Sequence, residues 1–313
     1  MPHRLPPGFL ERLKKVIPQG RYTCVLESFS APKKNIVRVN TLRAGKEEVL
    51  RTLREKNIAF EEVPGIAEAL ILEGLSAQEF EEIRLEKEGV LYRQGISSQM
   101  AVVVLDPQPD ELILDMCAAP GSKATQIAAR MDNQGELVCL ERVRGRYYKL
   151  KNVVGLMGAA NTSCHLMDAR RFRAGGRLFD KILVDAPCSS EGRFQADEPK
   201  TYAYWSLRKI KEMARKQRGL LFSASRLLRP EGTLVYSTCT FAPEENEGVI
   251  NWLLKKTGDS LELEDIFLEG VERYPAITGW EGKGFNPNVQ RCFRVLPKED
   301  TEGFFIAKLK KKQ

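Results

Sequence analysis

The sequence predicts an α/β protein in which an open, doubly wound, mostly parallel sheet follows a small α+β module. Three observations carry this. From residue 112 onward, strand-length apolar runs alternate with longer helical patterns, as in a parallel sheet covered on both faces. The chain then closes on two strand-like runs with no helix between them. Residues 1–95 instead mix short strands and short helices, and a chain of 313 residues has room for a second core over 96–313.

Taken in order, residues 9–16 form a short amphipathic helix stopped by Pro18 and Gly20. Residues 35–40, Asn-Ile-Val-Arg-Val-Asn, alternate as a strand does. Over 46–56, Val49, Leu50 and Leu53 fall on one helical face. A strand at 69–72 and a glutamate-rich stretch reaching Gly89 complete the module, which ends between Gly95 and Met100. In the second unit, strands are expected at 112–116, 136–140, 162–167, 181–184 and 233–237. Helices fit at 123–131, 146–156, 206–228 and 244–256, and the closing pair of strands at 291–296 and 303–309. Such a helix-free pair after an alternating run suits the seven-stranded methyltransferase form of the doubly wound sheet better than a plain dinucleotide fold.

Composition excludes several classes. With 42% hydrophobic and 29% charged residues the chain buries a core and is not a disordered one. No run approaches the roughly 18 apolar residues of a membrane helix. The first seven residues hold no apolar stretch of signal-peptide length, so a cytoplasmic protein is expected. Its seven cysteines are then free thiols; no Cys-x-x-Cys occurs and His3 and His165 are the only histidines, so no metal site is expected. The net charge of +7 is uneven: +8 over residues 1–60, −10 over 61–115, +12 over 116–230 and −3 over 231–313. Two basic blocks around an acidic one point to a polyanion such as nucleic acid, although a merely solvated surface fits the composition about as well.

Ligands of open α/β sheets bind at the carboxyl ends of the strands. Here the first strand runs into Asp115-Met116-Cys117-Ala118-Ala119-Pro120-Gly121-Ser122-Lys123. Its small residues let a ligand approach the backbone, and the helix that follows offers free N–H groups. The loop matches neither G-x-G-x-x-G nor G-x-x-x-x-G-K-[ST], which counts against nicotinamide and nucleoside triphosphate ligands. Glu141 ends the second strand, where an acid accepts from ribose hydroxyls. Asp168 ends the third, where it can accept from an adenine amino group, and Asp185 ends the fourth. One such acid is more often an ordinary loop residue; four along one sheet edge point to a nucleoside site.

The fourth and fifth strands run into Asp185-Ala-Pro-Cys188-Ser-Ser and Ser237-Thr-Cys239-Thr. Buried cysteines are usually inert small hydrophobes, a reading that fits Cys24, Cys139, Cys164 and Cys292. Cys188 and Cys239 sit in polar loops at the ligand edge, where basic groups and amides can stabilise a thiolate. In this order and spacing, Asp-Met-Cys-Ala-Ala-Pro-Gly-Ser-Lys, Asp-Ala-Pro-Cys-Ser-Ser and Ser-Thr-Cys-Thr resemble the RNA cytosine-5 methyltransferases of the Nol/Nop/Sun type over residues 90–311. The segment Val37-Arg-Val-Asn-Thr-Leu-Arg43 is similar to that family's small RNA-binding module, closest to ribosomal-RNA-type prokaryotic members.

The resemblance implies S-adenosylmethionine as methyl donor, contacted by Cys117, Ala118, Ala119, Pro120, Gly121, Ser122, Lys123, Glu141, Arg146, Asp168 and Asp185. It implies Cys239 as nucleophile, Cys188 as the thiol that assists release, and Asp185 as partner of the base. The substrate it implies is ribosomal RNA, with transfer RNA as runner-up, and a monomer is expected. The basic blocks suggest an RNA-facing surface that includes Arg142, Arg144, Arg146, Lys149, Arg170, Arg171 and Arg173. Phe194, Tyr202, Tyr204 and Trp205 stand where they either stack on a base or pack the helix that follows. The chain departs from the family at Ser122, where a second glycine is commoner, and at 192–199, where the family is more basic. Two other readings stay open. A DNA cytosine-5 enzyme would use Cys188 alone and leave Cys239 superfluous; a non-catalytic assembly factor would need neither thiol.

Overall fold

The computed structural model of the protein describes residues 5–75, 79 and 85–313. His3 and residues 76–78 and 80–84 of the glutamate-rich stretch lie outside the described residues. In the N-terminal part, β1 (Asn35–Val39), β2 (Phe60–Glu62), β3 (Ala69–Leu72) and β4 (Leu91–Arg93) pair antiparallel in the order β2-β3-β1-β4. The helix Lys46–Glu55 lays Val49, Leu50 and Leu53 on this sheet, against Val37, Val39, Leu70 and Leu72, the face its spacing predicts. The helix Ile96–Leu105 was not expected. It is buried almost all round, so no polar face marks its 3.6-residue period.

The main sheet contains β5 (Leu112–Asp115), β6 (Glu136–Glu141), β7 (Thr162–Leu166), β8 (Phe179–Asp185), β9 (Leu228–Thr238) and β10 (Leu261–Glu264). A two-residue ribbon, β11 (Gly279–Trp280) with β12 (Lys283–Gly284), stands apart, and β13 (Phe293–Val295) and β14 (Phe304–Lys311) complete it. The order is β10-β14-β9-β8-β5-β6-β7, seven places across. From β5 to β9 the neighbours are parallel, whereas β14 runs antiparallel to β9. Beyond β14 the outermost place is filled by two short strands, β13 beside Phe304–Ile306 and β10 beside Lys308–Lys311. The Leu-Glu-Leu-Glu of β10 buries only Leu261 and Leu263, too short an alternation to be read from sequence.

Successive residues of each strand face opposite layers. Ile113, Leu137, Leu183, Val235 and Ile306 pack on the helices Ile96–Leu105 and Ser122–Arg130. Leu114, Val138, Ile182, Val184, Leu234 and Phe305 pack on the helices Leu207–Leu227 and Glu247–Thr257. The strand order reverses between β5 and its neighbours β6 and β8, which opens a crevice at their carboxyl ends.

The Val-Arg-Val-Asn segment fastens the small sheet to this layer. Fully buried Arg38 donates from Nε to Gln94 Oε1 at 2.9 Å and from Nη2 to Thr125 Oγ1 at 2.8 Å. Asn40 donates to the carbonyl oxygens of Gly89 at 2.7 Å and Met157 at 2.8 Å, at the end of the helix Arg144–Met157.

Candidate active site

Asp115 closes β5 in a buried position. Its Oδ1 accepts from the Cys117 amide at 3.1 Å, while Oδ2 has no partner, and burial pushes the carboxyl up to about 7. The loop then lies along β6, where the Ala118 amide donates to Leu140 O at 3.0 Å. Gly121 turns it into the helix Ser122–Arg130 at φ +119°, and a Cβ there would stand 2.9 Å from Val153 Cγ1. Glycine meets both demands. Lys123, buried at the start of that helix, places Nζ 2.8 Å from Asp185 Oδ2 and donates to Ser98 Oγ at 2.8 Å. The Ser237 hydroxyl donates to the other oxygen of Asp185 at 2.7 Å.

Glu141 is buried at the end of β6 and accepts the Val143 amide at 2.7 Å. Arg146 lies 3.5 Å from it and donates to Ala119 O, bridging the two strand ends. Asp168 binds the Arg170 guanidinium and accepts its amide at 3.0 Å; the hydrogen bonds from Arg170 hold its carboxyl down at about 2. Two cavities follow this line. One of about 210 Å³ is lined by Met116, Glu141, Met167, Asp168 and Met213. The other, of about 280 Å³, is lined by Asp115, Ala118, Lys123, Asp185 and Cys239. Cys117 and Arg146 line both, so they form two halves of one trough.

At the far end the two loop thiols meet. β8 and β9 are parallel neighbours with Asp185 opposite Ser237, and their loops bring Cys188 Sγ within 3.4 Å of Cys239 Sγ. The hydrogen bond between the thiols lowers the pKa of Cys239, while that same bond and burial push Cys188 well up. The two thiols are thus shifted in opposite directions.

A model of the family described as 16S rRNA methyltransferase RsmB/F matches residues 102–310. The chain belongs to the RsmB/F methyltransferase family. Residues 5–77 match that family's ferredoxin-like domain. The tRNA (cytosine(49)-C(5))-methyltransferase of Pyrococcus abyssi is 36% identical over 90% of this chain and 89% of its own length. Ribosomal RNA small subunit methyltransferase F of Pectobacterium carotovorum is 36% identical over 99% of this chain, which spans 63% of that protein. Among solved structures, a methyltransferase homolog from Pyrococcus horikoshii superposes with a TM-score of 0.81 at 30% identity, covering 98% of this chain and 100% of that one. NSun6 from the same organism, solved with SFG, gives 0.80 at 25% identity and covers 100% of both chains. The protein is therefore an S-adenosylmethionine-dependent RNA methyltransferase.

The trough of this RsmB/F-family enzyme fits that cofactor. One half offers apolar walls and the acids Glu141 and Asp168, which suit an adenosine. The other offers the unpartnered, buried Oδ2 of Asp115 to an ammonium group. Asp168, whose oxygens already hold Arg170, is the acid least free to accept from a ligand.

The sequence reading passed over the residues that set the thiol loops, Pro243-Glu-Glu-Asn-Glu247. Glu245 accepts from the Ser189 amide at 3.1 Å and from Gln217 at 2.8 Å, and burial raises its carboxyl to about 8. Asn246 accepts from Thr238 Oγ1 at 2.6 Å and donates to Thr240 O at 2.8 Å, gripping the Cys239 loop on both sides. Buried Glu191 accepts from Thr240 at 2.9 Å, the Phe241 amide at 3.1 Å and Trp205 Nε1 at 2.7 Å. Because these side chains serve the loops, the helix begins at Glu247 instead of 244. The signal in the sequence is an asparagine among glutamates directly after the Cys239 loop, where a helix over 244–256 is expected.

The expectation about the structural cysteines needs correction, and the structure separates the two readings of the aromatics. Cys24 is exposed and Cys164 half-buried, so only Cys139 and Cys292 are buried hydrophobes. Phe194 packs in the core at 4.9 Å from Phe9, with Tyr202 beside it at 5.8 Å and Trp205 fixed to Glu191. Of the four aromatics only Tyr204, 88% exposed, offers a free ring.

Proposed function

We propose that this enzyme methylates carbon 5 of a cytosine in ribosomal RNA through a covalent Cys239 adduct. The observation that carries the reading is the thiol pair, 3.4 Å apart at the end of the trough. Carbon 5 of cytosine is a weak nucleophile. Addition of the Cys239 thiolate to carbon 6 moves the ring's electron pair onto carbon 5 and makes it reactive. When bound, S-adenosylmethionine supplies an electrophilic methyl group to that carbon. Asp185, braced by Lys123 and Ser237, is the partner of the base's ring nitrogen or amino group as charge develops there. Loss of the carbon 5 proton to water returns its electron pair to the ring and expels Cys239 as thiolate; Cys188, in contact with the departing sulfur, assists this release. The base reaches the thiols from single-stranded RNA or flipped out of a helix.

We place the division of the chain at Gly95, between β4 and the helix Ile96–Leu105, with the N-terminal module as an RNA-binding unit. Arg142, Arg144, Arg146, Lys149, Arg170, Arg171 and Arg173 are all exposed, with Arg142, Arg146 and Arg170 lining the nucleoside half, and serve as phosphate contacts. RNA affinity should therefore fall steeply between low and moderate salt, with the logarithm of the association constant linear in the logarithm of salt. A flat dependence in a filter-binding or anisotropy series would remove this surface from the RNA path.

Transfer RNA is the second reading, favoured by the match to the Pyrococcus abyssi tRNA enzyme over 89% of its length. Bisulfite sequencing of total RNA from cells with and without the protein decides between them. A cytosine in small-subunit ribosomal RNA that becomes convertible on deletion supports the proposal. Loss confined to transfer RNA replaces it with the second reading.

A further inference from the structure

We infer that Arg193 is a positioning residue that holds Cys239 as its thiolate, and that Glu302 competes with the sulfur for the same guanidinium. The inference rests on Cys239 as the nucleophile and goes beyond it to a charged pair outside the family's motif residues named above. Arg193 follows Gly192, whose amide donates to Cys239 O at 2.9 Å. The backbones of Gly192 and Gly303 cross there so closely that a Cβ on Gly192 would lie 2.1 Å from Gly303 O, and the Gly303 amide donates to Gly192 O at 3.3 Å. This crossing sets Glu302 beside Arg193, with Nε 3.3 Å from Oε1. Ser97 clamps Glu302 from behind, its hydroxyl donating to Glu302 O at 2.8 Å and accepting the Glu302 amide at 3.0 Å.

Arg193, Glu302 and Cys239 line the same half of the trough. The other cations lining it are committed elsewhere: Arg93 pairs with Glu86, Lys123 with Asp185, and Arg146 with Glu141 and Ala119 O. The groups that face Cys239 therefore divide by sign. Cys188 and Arg193 favour the thiolate, Glu302 and Asp185 oppose it, and Lys123 is largely offset by its Asp185 partner. On ionisation the Cys239 proton leaves to water, and the guanidinium stands between two anions that it cannot satisfy equally. An RNA phosphate entering the trough would add a third.

The test is the pH dependence of Cys239 alkylation by iodoacetamide in the full chain without RNA, read on the Cys239 peptide by mass spectrometry. Exposed Cys24 is the internal control, whose midpoint stays fixed in every variant. With the Arg193 side chain 62% exposed and that of Glu302 34%, both replacements are compatible with the fold. Arg193→Gln should move the Cys239 midpoint up by about one pH unit, and Arg193→Lys should restore most of it. Glu302→Gln should move it down. A loss of packing would move both variants the same way, so opposite signs support the inference. An unchanged midpoint in Arg193→Gln, or movement of both variants in one direction, overturns it. The assay reads thiol ionisation and not methylation. Should Cys239 prove not to be the nucleophile, Cys239→Ala would keep methylating while the alkylation result stood.

Discussion

Cys239→Ala should abolish both methyl transfer and any covalent protein–RNA species, whereas Cys188→Ala should accumulate that species. The asymmetry follows from the order of bond making. A thiol that adds to carbon 6 is needed before anything else happens, and losing a covalent nucleophile costs at least about 10³-fold in rate. A thiol that acts in elimination is needed only after the methyl group is in place. The two sulfurs are close enough to act on one base, and the hydrogen bond between them lowers the pKa of Cys239 and raises that of Cys188. Denaturing gels of each variant with RNA and S-adenosylmethionine, alongside methyl incorporation, read both effects. A slow-migrating species from Cys239→Ala, with none from Cys188→Ala, would reverse the roles and make this a single-thiol enzyme of the Asp-Ala-Pro-Cys type.

The second large effect concerns stability. Arg294 and Glu247 form a bidentate pair at 2.5 and 2.6 Å with both side chains at most 5% exposed, and Arg294 also donates to Phe241 O at 3.1 Å. Glu247 in addition accepts the Ile277 amide at 3.0 Å. The pair ties β13, the helix Glu247–Thr257 and the strap after the Cys239 loop to one point. Glu247→Leu leaves a guanidinium buried without its counter-charge and should cost about 3–5 kcal/mol in urea unfolding. The double variant Glu247→Leu/Arg294→Met should recover much of that loss, because the uncompensated charge, and not the missing pair, is the penalty. A single-variant loss below about 1 kcal/mol would mean that water reaches the site.

What was legible in the sequence was whatever repeats or sits at a strand end. The strands β5, β6, β8 and β9 declared themselves because their central residues are buried on both faces and read as apolar runs, whereas edge strand β7 is only partly buried. The carboxyl-edge residues Asp115, Glu141, Asp168 and Asp185 followed from those strand ends. The helix Ile96–Leu105 lacked a polar face and β10 lacked length, so neither carried a period to read. The brackets around the thiol loops were hidden for a different reason. Glu191, Glu245 and Asn246 act through hydrogen bonds spanning 6 to 56 positions in the chain, and a polar residue in sequence does not show what it will meet. Arg38 was legible as a strand residue but not as the buried tie to Gln94 and Thr125. Glu302 and Arg193 come together only because two glycines allow their backbones to cross.

The most direct measurement of the central claim uses ribosomal RNA transcribed with 5-fluorocytidine, incubated with the wild-type enzyme and S-adenosylmethionine. Fluorine cannot leave carbon 5 as a cation, so the adduct formed by the attacking sulfur cannot eliminate. Mass spectrometry of the digested complex should find a methylated fluorocytidine joined to the peptide that carries Cys239. A cross-link to Cys188, or methyl incorporation into unsubstituted RNA with no cross-link to the fluorinated one, would contradict the account.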